Sequence, residues 1–280
     1  MKCLIDGDII LYRVGFTTQD TDFGIARWRA NETISNILSY TNAKEFEVWL
    51  SDDTTNSWRY QIYPEYKQNR TQEKPKHYEA LKEYLVTEWE ARIAHNQEAD
   101  DALGIAQRYC IDTYLMHKDD PEFGGSPFDT IIASIDKDLL QVPGNHFNFV
   151  KNSFCEISPE EGLKNFYTQV LMGDRVDNIK GCPGIGEKKA FQALLGLSTG
   201  PDMYTKVVEV YLKQYALKEP LRSEDQVIDY LVKTAQVLKI KQSEDEGLWQ
   251  PPEINETTVS EREGKGLPEE DGFMFIGAIP

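Results

Sequence analysis

Short apolar runs, several of them closing on an acid, constrain this chain more than any other feature. They fall at Lys2–Ile5, Phe46–Leu50, Arg92–Ala94, Thr130–Ser134 and Phe147–Val150. Runs of this length with no polar face suit strands buried on both sides. Helical periodicity lies between them, over Gly24–Tyr40, His77–Glu90 and Glu98–Met116. Such alternation predicts an α/β fold with a mainly parallel sheet. From about Ser158 only helical patterns follow, over Pro159–Gly173, Glu187–Leu197, Pro201–Tyr215 and Ser223–Leu238. The expected organisation is therefore a sheet-containing unit over 1–157, a helical part over 158–252, and an acidic tail over 253–280. The tail is rich in Pro, Gly and Glu and is expected to be disordered.

Composition narrows the function classes. The four cysteines, Cys3, Cys110, Cys155 and Cys182, form no C-x-x-C pair, and the four histidines are scattered. Neither a zinc site nor a disulfide framework is indicated. No apolar run is long enough to span a bilayer and the start, "MKCLIDGDII", does not read as a signal peptide, so a cytoplasmic protein without a membrane role is expected. A formal charge of −17 looks wrong for a nucleic-acid binder. Its distribution resolves this: residues 243–280 carry a net −8, and nine acids proposed as metal ligands account for −9. What remains is neutral and can carry local basic patches.

Those nine acids sit where a parallel sheet gathers ligands, beyond the carboxyl ends of its strands. "KCLIDGD" places Asp6 after the first strand, "FEVWLSDD" places Asp52 after the second, and "TIIASIDKD" places Asp136 and Asp138 after another. "QEADDALGIA" opens a helix with Glu98, Asp100 and Asp101, of which Glu98 and Asp101 share a face. In "GDRVDNIKGCPGIGEKKA", Asp174 and Asp177 lie three apart, and on a helix they too would share a face. Any one group can be a turn former or helix cap. Together, histidine-free, they suit two Mg²⁺ or Mn²⁺ ions roughly 4 Å apart. Asp8 and Asp53 are left as neighbours of the ligands or turn residues. The glycines at 181, 184 and 186 allow close approach of an anion, and a helix starting near Gly186 would aim free N–H groups at it.

"LIDGDIILYR", "YPEYKQNR", "EADD", "SIDKDLLQ" and "LMGDRVDNIKGCPGIGEKKA", in this order, resemble the 5′ nuclease family. That family includes the 5′ nuclease domain of bacterial DNA polymerase I, stand-alone exonucleases of T-odd bacteriophages, and flap endonucleases. The resemblance implies a PIN-like α/β core with a two-metal site formed by Asp6, Asp52, Glu98, Asp100, Asp101, Asp136, Asp138, Asp174 and Asp177. Asp52 is preferred to Asp53 for its spacing before Tyr66. The resemblance also implies that Lys67 and Arg70 contact the scissile phosphate and that Arg13 grips phosphate. A helical arch over 72–92 would bring Lys74, Lys76 and Lys82 to a passing strand. "GCPGIGEKKA" resembles a helix-hairpin-helix element that grips duplex through Gly184, Gly186, Lys188 and Lys189, where K⁺ can bind hairpin carbonyls.

The implied activity is metal-dependent 5′–3′ exonucleolysis of DNA at duplex ends, nicks or flaps, releasing 5′-phosphate mono- and short oligonucleotides in phage replication, primer removal or recombination. An RNA–DNA hybrid is a further possible substrate. A flap endonuclease uses the same site and stays open as an alternative. A DNA-binding module without catalysis would lack ligands, and none is missing. A PIN-type endoribonuclease would not need the hairpin. The acidic tail's partner is not legible.

Overall fold

A computed structural model of the chain describes residues 1–52, 57–120, 122–126, 129–219 and 222–253. Asp53 and the expected disordered tail from 254 onward lie outside the described residues. The sheet has six strands: β1 (Lys2–Asp6), β2 (Glu45–Ser51), β3 (Arg92–Ala94), β4 (Thr130–Ala133), β5 (Gly144–Asn148) and β6 (Ser153–Ile157). Their order is β3-β2-β1-β4-β5-β6. All neighbours run parallel except β5 and β6. The strand expected at Phe147–Val150 thus begins earlier, at Gly144, and hairpins into β6, which the apolar pattern did not reveal because its side chains are largely exposed.

β1 shows why the sheet is buried on both sides. Its side chains alternate between faces. Cys3 and Ile5 join one core with α1 (Gly7–Thr17), α2 (Phe23–Thr41) and α4 (Tyr78–Glu88), while Leu4 joins another with Leu103 of α5 (Ala99–His117) and Ile240. Parallel register places the ends of β1 and β2 side by side, Asp6 opposite Trp49. A third core holds the C-terminal helices α6 (Pro159–Met172), α7 (Glu187–Ala193), α8 (Gly200–Lys218) and α9 (Glu224–Leu238). Tyr63 and Tyr66, which follow the single-turn α3 (Arg59–Ile62), belong to this third core, so the helical part is stitched to the sheet half through them.

Two local expectations are corrected. α6 ends at Met172, one residue short of the expected Gly173, because Gly173 adopts φ +70 and packs back to back against Gly181 in a two-residue ladder, β7 (Gly173–Asp174) with β8 (Ile179–Lys180). Asp174 and Asp177 therefore share no helical face. The segment expected to arch over the site becomes a short irregular strap, 71–77, followed by α4. α4 packs onto the body through Tyr78, Leu81 and Leu85, whose helical spacing suits the buried stripe they form with α1 and α2.

Candidate metal and phosphate site

The carboxyl ends of the strands open onto a cavity of about 200 Å³. Among the described residues eight carboxylates line it, Asp6, Asp8, Glu98, Asp100, Asp136, Asp138, Asp174 and Asp177, against three cations, Lys67, Arg70 and Lys137. Each acid is placed by backbone chemistry. Asp6 ends β1 and caps α1, accepting from Ile9 N at 3.2 Å and from Ser134 Oγ at 2.7 Å. Asp136 and Asp138 follow β4, where Asp138 N donates to Asp136 Oδ1 at 2.8 Å. Glu98 is the N-cap residue of α5 and Asp100 lies in its first turn. Asp174 accepts from Val176 N at 2.7 Å within the tight turn after β7.

Two expected ligands lie elsewhere. Asp101, fully buried, turns away to the Arg59 guanidinium, with NH1 at 2.6 Å and NH2 at 2.8 Å, and also accepts from Lys241 N at 3.0 Å. Glu98, on the same face, lies 3.4 Å from Arg59 NH1 but also lines the cavity, which Asp101 does not. Asp52 does not line the cavity; it accepts from Asn96 N at 3.0 Å and so closes the turn leading into α5. Asp8 stands in the cavity instead, one residue into α1, where it accepts from Ser51 N at 3.2 Å and from Ser51 Oγ. Ser51 in turn accepts from Ala99 N at 2.9 Å, locking β2, Asp8 and the start of α5 together. The signal for Asp8 was available: "DGD" places it within hydrogen-bond reach of the next strand's end once α1 begins directly at Gly7.

The acids repel one another in a buried setting. Burial first, then Asp8 among its neighbours, pushes the Asp6 carboxyl up to about 7. Burial, then Asp136 and Asp174, pushes Asp138 up to about 8. Asp8, Asp100 and Asp136 are raised as well, in each case foremost by burial. Asp101 is the contrast: burial would raise it, yet the Arg59 charge and its hydrogen bonds outweigh burial and hold it below the usual carboxylate range.

The cations form the opposite wall. Lys67 pairs with Glu98 and lies 3.6 Å from Asp177, and Arg70 pairs with Asp177. Tyr66 OH lies 2.6 Å from Glu98 and 2.9 Å from Asp177, a bridging residue that the sequence showed only as part of a motif. Lys67 and Arg70 are thus brought to the acids as expected. Arg13 is exposed on α1 outside the cavity lining, and Lys74 and Lys76 lie on the strap, Lys74 paired with Glu79 and Lys76 reaching Thr21 O. Lys82 is half-buried on α4. In the hairpin, Gly184 takes φ +78, Gly186 precedes α7 in an open position, and Lys188 and Lys189 are exposed.

The donor set fits hard divalent cations: oxygen ligands only, five more negative than positive side chains, and raised carboxyls that bound cations would return to the ionised form. Among the described residues no three His, Cys, Asp or Glu side chains already converge as a cage. The fit therefore rests on chemistry and charge, with Lys67 and Arg70 holding Glu98 and Asp177.

The molecule is thus an α/β protein whose mostly parallel sheet presents an acid-lined cavity at its strand ends, with an adjoining glycine hairpin. The family model of the 5′-3′ exonuclease N-terminal resolvase-like domain matches residues 1–168, and the chain belongs to that family. It is 29% identical to DNA polymerase I of Bacillus caldotenax over 244 residues, 78% of this chain and 26% of that protein. It is 26% identical to the 5′-3′ exonuclease of Buchnera aphidicola subsp. Schizaphis graminum (strain Sg) over 225 residues, 74% of each. The chain thus spans about a quarter of the polymerase and about three-quarters of the stand-alone exonuclease. The fold resembles that of the T5 D15 protein co-crystallised with metal ions, with a TM-score of 0.55 at 18% identity, covering 84% of this chain and 88% of that one. A bacteriophage T5 D15 flap endonuclease in a pseudo-enzyme-product complex with DNA and metal ions superposes with a TM-score of 0.50 at 17% identity, covering 84% of this chain and 98% of that one. Among the described residues no helix is long and apolar enough to cross a membrane.

Proposed function

We propose that the protein is a divalent-metal-dependent 5′–3′ nuclease that hydrolyses DNA from duplex ends and nicks, releasing 5′-phosphate mono- and short oligonucleotides in replication-associated end processing. The observation that carries this is the juxtaposition of eight carboxylates with Lys67 and Arg70 in one cavity at the strand ends. Asp6, Asp8, Glu98, Asp100, Asp136, Asp138, Asp174 and Asp177 would hold the metal, Mg²⁺ or Mn²⁺. Bound there, such ions supply Lewis-acid charge and an activated water for phosphodiester hydrolysis.

The chain's own residues do the rest. Lys67 and Arg70 meet the scissile phosphate by exchanging their carboxylate partners for phosphate oxygens, which would free Glu98 and Asp177 to hold the metal. Burial would lower Lys67, but Glu98 and Asp177 outweigh it and keep its ammonium charged until then. Tyr66 holds Glu98 beside Asp177 during that exchange. Lys188 and Lys189, exposed beyond the hairpin, grip duplex phosphates away from the cut. Gly184 O accepts from Lys189 Nζ at 3.1 Å, a contact that Lys189 would exchange for a phosphate, leaving that hairpin carbonyl to K⁺.

The docked position of α4 favours end and nick processing over long flaps. A strap of seven residues offers less span than a free-standing helical arch. The test is to size first products from 5′-labelled blunt duplex, nicked duplex, RNA–DNA hybrid and a long 5′ flap, in Mg²⁺ and in EDTA. Short products from ends and nicks, in Mg²⁺ only, are expected. A single junction cut on the flap with blunt duplex intact would make the protein a flap endonuclease. Duplex binding with no cleavage in Mg²⁺ or Mn²⁺ would leave a non-catalytic DNA-binding module.

A further inference from the structure

The strap joins two walls of the cavity. Its near end carries Lys67 and Arg70 and is held to the 173–178 turn: Lys67 N donates to Asp177 O at 2.9 Å and Asn69 Nδ2 donates to Arg175 O at 2.8 Å. Lys67 sits at φ +55, an unusual backbone state for a residue with a side chain, and one that persists where the surroundings over-determine it. The far end is fastened to α1 and the turn after it. Lys76 N donates to Gln19 Oε1 at 3.1 Å, and His77 Nε2 lies 3.0 Å from Thr21 O. Tyr78 then packs tilted against Tyr12, which lines the cavity, with ring centroids 5.2 Å apart and an interplanar angle of 52°.

Between these fastenings Pro75 is buried against Gly15 on the flank of α1. A Cβ added at Gly15 would stand 2.6 Å from Pro75 Cγ and 2.7 Å from Pro75 Cβ. Both contacts are with a ring fused to the main chain, so relief requires moving the strap itself rather than turning a side chain. Helix propensity alone favours alanine over glycine inside α1, so the missing Cβ at position 15 is explained by the proline it admits. Thr71 to Lys74 are exposed and are all the chain that separates Arg70 from this contact.

We propose that Gly15 and Pro75 form a seat that fixes the far end of the strap and through it sets Lys67 and Arg70 over the acidic cavity, making Gly15 a positioning residue. This rests on the nuclease reading of the cavity. A merely structural contact would change stability alone; a positioning contact changes the chemical step.

The experiment compares wild type, Gly15→Ala, Pro75→Ala and the double variant in the full chain. A Cβ at Gly15 must push Pro75 away by about 1 Å, and misplacement of that size costs on the order of 10²-fold in rate. Gly15→Ala should lower the single-turnover rate at saturating DNA in Mg²⁺ by roughly 10- to 100-fold, with the duplex Kd in Ca²⁺ unchanged and trypsin cutting faster after Arg70 and Lys76. Pro75→Ala should show a smaller loss of the same kind, and the double variant should be no worse than Gly15→Ala, because both act at one contact. An unchanged rate in a folded Gly15→Ala protein, or losses that multiply in the double variant, would overturn the proposal. If Gly15→Ala fails to fold, Pro75→Ala decides by the same split between rate and Kd. A wild-type protein that cuts no DNA in Mg²⁺ would instead refute the nuclease reading, which the trypsin pattern does not depend on.

Discussion

Asp101 offers a sharp test of the assignments, because its sequence context made it a metal ligand and the structure makes it a strut. Its carboxylate accepts from both Arg59 terminal nitrogens, from Trp58 Nε1 at 3.3 Å and from Lys241 N at 3.0 Å. Arg59, equally buried, donates onward to Val237 O and Lys239 O, each at 3.0 Å. One ion pair thus ties the start of α5 to α3 and to the chain leaving α9. Asp101→Ala would leave the buried guanidinium only Glu98 Oε2, at 3.4 Å, as a carboxylate partner, and breaking a buried pair from one side costs about 3–5 kcal/mol. For a chain of this size each kcal/mol lowers the Tm by about 2–4 °C, so the expected drop is on the order of 6–20 °C. The assay is a thermal melt in EDTA, where a metal ligand has nothing to lose. The double variant Arg59→Met/Asp101→Leu should recover most of the loss, since apolar replacement of a whole buried pair is often neutral. A Tm for Asp101→Ala within about 2 °C of wild type in EDTA, roughly 1 kcal/mol or less, joined to a lost metal titration, would refute the strut and restore the ligand.

The cavity acids should behave in the opposite sense. Asp138→Asn keeps an oxygen to accept from Gln169 and removes one of the crowded charges, so at pH 8 in EDTA the variant should melt higher than wild type while cleaving no DNA in Mg²⁺. Asp6 at about 7 and Asp138 at about 8 bind protons more tightly folded than at the ordinary value of 3.8. Their contribution to metal-free stability is complete below that value and is lost as the pH rises through 7 to 8; urea melts in EDTA from pH 5 to 8.5 should show the decline, and saturating Mg²⁺ should flatten it. Lys67→Ala should lower the single-turnover rate by about 10²–10³, and a loss confined to affinity would make Lys67 a docking contact. Lys188→Ala with Lys189→Ala should reduce the salt slope of duplex binding by roughly one to two units, measured by titration at several ionic strengths in Ca²⁺.

Much of the fold was legible because it depends on local pattern. Runs such as Cys3–Ile5 and Ile131–Ala133 are apolar throughout, and a strand covered on both faces accepts that. Parallel strands bring their carboxyl ends to one edge, so Asp6, Asp136 and Asp138 could be placed together before any contact was known. Lys67 and Arg70, with Glu98, Asp100, Asp174 and Asp177, followed from ordered motifs. β6 escaped because its side chains are largely exposed, and α1 escaped because it opens at Gly7 directly after β1, with no loop to mark its start.

The sequence by itself determined which residues could bind metal and phosphate; only the tertiary structure decided which of them do not face the cavity. Asp100 and Asp101 are adjacent and chemically alike, yet one meets Asp136 and Asp6 across the cavity and the other meets Arg59 from 42 residues earlier. Asp52 and Asp8 exchange their expected roles because Ser51 binds Asp8 across 43 residues, while Asp52 turns to Asn96. A helical turn rotates neighbouring side chains by about 100°, so a residue's direction is set locally. What it meets in that direction is supplied by distant chain, and a buried carboxylate must find a cation or hydrogen-bond donors there.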